Sequence, residues 1–427
     1  MNKLKKFLSL ILALLMCASL NSASLIAYAQ DMGTEDNPYQ ITTAQELQNI
    51  NNDVTAHYKL MADIDLNNVE FTPIGNADSG AFSGVFDGNG HTISNLNVLA
   101  GKFAGLFGYN EGIIKNVTLK DIYVYGTRYL GGIVGQNTSL GTIADCKVLS
   151  GTIESDGGLN KINAGGICGF NSGSFEGAFL NGSNLTVESN RNSSQVGGIV
   201  GFNEYNFTLN ALNTGNVFSS SHYSPPSSDA ISYICSGGLI GYCTSSAVII
   251  NSYNTGNVSS TTSSDHNYAY LGGLIGLCSS SSSITNSYNT GNISSTSDDY
   301  AYLGGLIGGG SSLISNSYST SVISNSYNTG NISSSYNNSI YLGEWFCSGG
   351  LIGICDSSVI SNSYNTGNIL SSGNCALYSG GLIGVCTSYA RTTIANSYNT
   401  GNVSSDHSGG LIGNCIYSSV TITNCYN

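Results

Sequence analysis

Charge is scarce in this chain: Asp, Glu, Lys and Arg together make up 9% of its 427 residues. Basic residues are scarcer still, and after Arg191 the only one is Arg391. That excludes a nucleic-acid partner, because displacing phosphate counterions takes clustered Lys and Arg. It argues against an anionic membrane surface for the same reason. Five histidines stand at 57, 91, 222, 266 and 407, too far apart for a zinc-peptidase pair one helical turn apart. Carboxylates thin out as well, with six after residue 229. A β-helical lyase or hydrolase would need them clustered on one face over successive coils. Asp63/Asp65 and Asp298/Asp299 are isolated pairs. Asp63, Asp65 and Asp87 read as solvated strand edges and a turn rather than a calcium site. No catalytic residue, metal or cofactor is expected. The chain is nevertheless not of disordered composition, because 41% of it is apolar and disordered chains are apolar-poor and charge-rich.

What is abundant is glycine, 55 residues of it, much of it in one phrase. Gly-Gly-Leu-Ile-Gly stands intact at 237–241, 272–276, 304–308, 349–353, 380–384 and 409–413, with softer copies starting at 104, 131, 165 and 197. The ten copies start 27 to 45 residues apart. A second phrase, Asn-Ser-Tyr-Asn-Thr-Gly-Asn, alternates with it from 251, 286, 325, 362 and 396, with a decayed copy from 210. Repeats of this length are supersecondary units stacked on their neighbours. Helical periodicity is missing after residue 60. The reading is all-β, a parallel β-helix with three short strands per coil and Ser runs and Asn-Thr-Gly at the corners.

Two residues past each phrase runs a column: Asn110, Asn137, Asn171, Asn203, then Cys243, Cys278, Gly310, Cys355, Cys386 and Cys415. It shares the strand parity of the phrase leucine, so it is expected to face inward as a structural ladder. The asparagines would bond coil to coil, and the cysteines would act as small apolar filler. Stacked Cβ atoms near 4.8 Å are too far apart for an ordinary disulfide, so most of these thiols are expected to be reduced. Tyr253, Tyr288, Tyr327, Tyr364 and Tyr398 form another column, read as stacking support. Ser333–Cys347 carries Tyr336, Tyr341, Trp345 and Phe346 and reads as a loop whose rings fold back onto the rod. Pro225-Pro226 marks a second loop, and 313–323 a partial duplication of the second phrase.

Residues 1–29 read as a secretory signal: Lys3, Lys5 and Lys6, an apolar run from Phe7 to Ala18, and Ala27-Tyr28-Ala29 before Gln30. Without them the net charge moves from −13 to −16, and no transmembrane segment is expected in the mature chain. Residues 30–100 read as an N-terminal cap plus the first coils, and 101–427 as the repeats. Thr43-Ala-Gln-Glu46 is a capping box, predicting a helix over 43–52. Alternating apolar residues at 58, 60, 62, 64 and 66 predict one strand.

These phrases resemble the GLUG repeat of secreted and surface bacterial proteins. So do the opening motifs Asn37-Pro-Tyr-Gln-Ile-Thr-Thr-Ala-Gln-Glu-Leu47, Ala62-Asp-Ile-Asp-Leu66, Thr72-Pro-Ile-Gly75 and Phe86-Asp-Gly-Asn-Gly-His-Thr-Ile93. The resemblance spans 30–427. It implies a right-handed β-helix in an extracellular setting, adhesin-like, with a host or matrix protein or a glycan as partner and no chemistry of its own. The alternative is a carbohydrate-binding or polysaccharide-degrading β-helix; a third reading is a truncated piece of a larger surface protein.

Overall fold

The computed structural model describes residues 32–76, 80–156, 161–189, 193–221, 232–263, 267–297, 300–310, 320–336, 345–373, 376–387 and 391–427. The leader, Pro225-Pro226, Asp298/Asp299, Tyr341, His222, His266 and the first part of the duplicated stretch lie outside these residues. The chain winds as a parallel β-helix in which every named strand pairs in parallel with its counterparts in adjacent coils.

Each full coil from Val85 onward holds five short strands rather than the expected three. In the coil that opens at Gly272 they are Ile275–Cys278 (face 1), Ser283–Thr285 (face 2), Tyr288–Asn289 (face 3), Ile293–Ser297 (face 4) and Tyr300–Gly304 (face 5). Faces 1, 4 and 5 are each ten strands high and face 3 is eleven; face 2 is a six-stranded sheet followed by a seven-stranded one. The Tyr288–Asn289 strand is too short to show any periodicity, and the chain turns between it and Ser283–Thr285 at Asn286. That asparagine has φ 52°, as do its equivalents Asn251, Asn325, Asn362, Asn396 and Asn424 to within a few degrees. Asn tolerates this left-handed corner better than other residues with a side chain.

The capping box at Thr43 and Glu46 forms, but the α-helix covers only Ala44–Gln48 and continues as a 3-10 turn over Asn49–Asn52. The single strand expected from 58 to 66 is two strands, His57–Leu60 on face 2 and Ile64–Asp65 on face 3. The inward alternation of Tyr58, Leu60, Ile64 and Leu66 continues through the corner between them, which is why it read as unbroken. Among the described residues, no helix is long and apolar enough to cross a membrane.

One apolar core runs inside the coils from Ile41 to Ile394, filled chiefly by Ile, Leu, Val and Phe. The phrase Gly-Gly-Leu-Ile-Gly is the corner between faces 5 and 1. A Cβ on Gly272 would collide with the Ile275 carbonyl, and one on Gly276 would lie 2.6 Å from the Gly241 oxygen and 2.7 Å from the Ser236 nitrogen of face 5. None of the intact phrases has a glycine with left-handed φ, so space rather than backbone conformation excludes larger residues there.

Candidate functional site

Two amide ladders organise the interior. The first runs where the column predicts: Asn110, Asn137, Asn171 and Asn203 are fully buried and lie in register. Each Nδ2 donates to the Oδ1 of the next at 2.8 Å. Each also donates to a corner carbonyl a few residues on, Gly112, Gly141, Gly173 and Tyr205 in turn. Cys243, Cys278, Gly310, Cys355, Cys386 and Cys415 continue the same column. The first five of these are buried, while Cys415 is exposed in the last coil. Cys355 and Cys386 bring their sulfurs to 3.9 Å, and none of the ten described cysteines is in a disulfide.

The second ladder was missed, its residues having been assigned to corners. It runs through the fourth position of Asn-Ser-Tyr-Asn and the equivalent position of coils that lack the intact phrase: Asn181, Asn213, Asn254, Asn289, Asn328, Asn365, Asn399 and Asn427, joined Nδ2 to Oδ1 at 2.6–2.8 Å. This ladder explains the second glycine of the other phrase. A Cβ on Gly238, Gly273, Gly305, Gly350 or Gly381 would strike the asparagine of the same coil, Asn254, Asn289, Asn328, Asn365 or Asn399, and the glycine carbonyl of the next. The two phrases are therefore the two halves of one lock. Their remaining residues are also committed. Ser287 takes the amide hydrogen of Ser252 at 3.0 Å and caps the Thr285 carbonyl at 2.9 Å. Asn257 takes that of Asn292 on the outside at 2.9 Å. The tyrosines 253, 288, 327, 364, 398 and 426 stack 4.8–4.9 Å apart and within 5° of parallel.

Outside the phrase corner, faces 5 and 1 meet on their outer sides and enclose a second, smaller apolar cluster: Cys235, Tyr270, Leu277, Tyr302, Cys347, Ile354 and Val385. A line of rings follows this seam: Phe103, Tyr129, Phe170, Phe202 and Tyr242 are each 5.1–5.5 Å from the next. Tyr268 and Tyr300 stack at 4.5 Å, and Tyr270 and Tyr302 at 4.9 Å. Trp345 and Phe346 are not in a loop, as expected, but in the face 5 strand Trp345–Gly349. Phe346 is wholly buried against Tyr336, and Trp345 sits edge-on to Tyr378 in the seam.

The carboxylates serve turns. Asp63 accepts from Thr92 N at 2.9 Å and lies 3.2 Å from His91 Nδ1; Asp65 accepts from Asn67 N and Asn95, and Asp87 from Asn89 N and Asn116. The Thr92 bond holds the Asp63 carboxyl below its ordinary range, and the Asn95 bond does the same for Asp65. Among the described residues no three His, Cys, Asp or Glu come together as metal ligands. Burial drives the thiols the other way, pushing Cys146 and Cys235 up to about 12. A concavity of about 590 Å³ lies at the cap beside Tyr39, Glu46 and Tyr58. Its one acid from the helix, Glu46, is occupied by the capping box.

No family model matches the chain. It is similar to halomucin of Haloquadratum walsbyi, 35% identical over 167 residues, which is 34% of this chain and 2% of halomucin. It is similar also to a protein of Evansella cellulosilytica named as a Gly-rich membrane protein, 31% identical over 134 residues, 28% of this chain and 15% of the relative. The chain thus spans only a small part of the length of the relatives it matches. Among solved structures it is similar to a Bacteroides ovatus protein named as an immunoglobulin A1 protease, with 21% identity, a TM-score of 0.44 and coverage of 62% of this chain and 78% of the other.

Proposed function

We propose that this chain is a secreted or surface-associated rod of the GLUG-repeat kind that displays its outer faces to a host or matrix partner and carries no catalytic site of its own. The observation behind this reading is the pair of amide ladders, which tie coil to coil along the axis and commit the repeated residues to stiffness. The partial relatives support a surface setting: one is halomucin and the other is named for a membrane. The export signal read at 1–29 fits the same setting. The test is to express the protein with its leader, locate it by cell fractionation, and use the exported form to capture partners from host and cell-wall fractions. Retention in the cytoplasm would sink the proposal. Polysaccharide turnover abolished by Asp63→Ala or Asp87→Ala would replace it with the carbohydrate-degrading alternative.

A further inference from the structure

The seam is filled with rings along most of its length but not at one level. In the face 5 column that looks into it, Tyr129 is followed by Asn163, Gln195 and Cys235 before Tyr270 restores a ring. A cavity of about 200 Å³ opens there, lined by Lys161, Ser193, Gln195, Tyr233, Cys235, Tyr242 and Leu277. Two of these groups are placed to meet a ligand. Gln195 is 1% exposed, and its Oε1 accepts no hydrogen bond. The Lys161 ammonium lies 4.7 Å from the Phe202 ring centre and 5.6 Å from that of Tyr242, and it forms no ion pair with a described carboxylate. Ring faces attract an ammonium but do not neutralise it, and Lys161 is exposed where it stands over them. An exposed cation at the mouth and an idle, buried amide oxygen on the wall of one small cavity are complementary to a carboxylate and a hydroxyl on one small molecule. The volume falls below the roughly 300 Å³ at which drug-sized sites begin, so it suits a single ring rather than a chain. The tyrosine and phenylalanine rings around it suit the apolar face of such a ring.

We infer that this cavity binds one acidic sugar residue, a hexuronate, with its carboxylate on Lys161 and a hydroxyl donating to Gln195 Oε1. The inference is independent of the display role, since a rod could present its faces with the cavity empty. The test is calorimetric or ligand-observed NMR titration of the full exported chain with glucuronate, its methyl ester, glucose and a glucuronate-terminated oligosaccharide. Saturable binding of glucuronate is expected, weakened at least about tenfold, the equivalent of one lost charged contact, for the uncharged ester and for glucose. Lys161→Met should abolish it, and Gln195→Leu should weaken it while circular dichroism stays unchanged. Tighter binding of the oligosaccharide would identify a polysaccharide end as the source; equal binding would identify the free sugar. No saturable glucuronate binding, or equal affinity for the acid and its ester in the unmodified protein, would overturn the inference without recourse to any variant.

Discussion

The first coils and the last solve the same packing problem with opposite corners. Up to Asn203 the amides stand on face 1, while the face 3 column is apolar at Ile64, Ile93, Leu119 and Val148. From Asn181 onward the amides stand on face 3, and from Cys243 the face 1 column turns to thiols and one glycine. The two ladders overlap only between Asn171 and Asn213. In each half the amide that bonds along the axis also satisfies a corner carbonyl. One hydrogen-bonded column per coil therefore secures a tight corner, and the opposite corner is left to apolar packing. Which corner carries the amide is interchangeable, but every coil from Asn110 onward has at least one.

The sharpest way to break this pattern is to fill the space that the second ladder needs. Gly273→Val puts a branched side chain against Asn289 and the Gly305 carbonyl, neither of which can move without its neighbours. It should destabilise by at least ~3 kcal/mol, read as loss of the strand signal in circular dichroism and rapid proteolysis. Asn289→Ala strands the Asn254 amide and the Asn328 oxygen. It should cost about 2–4 kcal/mol in urea unfolding, whereas Asn203→Ala, at the end of the first ladder, should cost about half as much. Cys278→Ala removes only a small apolar filler and should cost about 1 kcal/mol. A thiol-column loss equal to the Asn289 loss would contradict the distinction between the two columns.

The smallest effect is one of pH and sets the amide ladders against two buried thiols outside the face 1 column, because the amides do not titrate and the thiols do. The Cys146 and Cys235 thiols rise from about 9 to about 12 in the folded chain, so folding favours their protonated form. Their contribution is complete below pH 9 and declines as pH climbs from 9 towards 12. Cys146→Ala should therefore unfold less steeply than the unmodified chain in an alkaline titration followed by circular dichroism. Identical slopes would show that the buried thiol does not couple to folding.

Much of this was legible because a β-helix writes its axial neighbours as repeats. The phrase spacing led to stacked coils, and the Asn110-to-Cys415 column could be listed before any coordinates. What stayed hidden depends on contacts between parts of one coil. Asn289 looked like a corner residue because its partner glycine, Gly273, is 16 residues away and nothing local links them. The five faces read as three because strands such as Tyr288–Asn289 carry no period. The seam was invisible because outward residues on two faces normally diverge, and here the glycine corner turns them towards each other. Trp345 read as a loop residue for the same reason: its polar, irregular surroundings in sequence become a strand beside Tyr378 only once the coil closes.

The lock between Gly273 and Asn289 lies wholly inside one winding, as do those in the coils above and below. Copies 32 and 45 residues apart accordingly align without slippage, Ile275 over Ile307 and Ile307 over Ile352. Gain or loss of a whole repeat leaves every remaining clasp shut. A gene for such a rod can lengthen, shorten or vary its outer segments by unequal recombination without having to redesign the shaft.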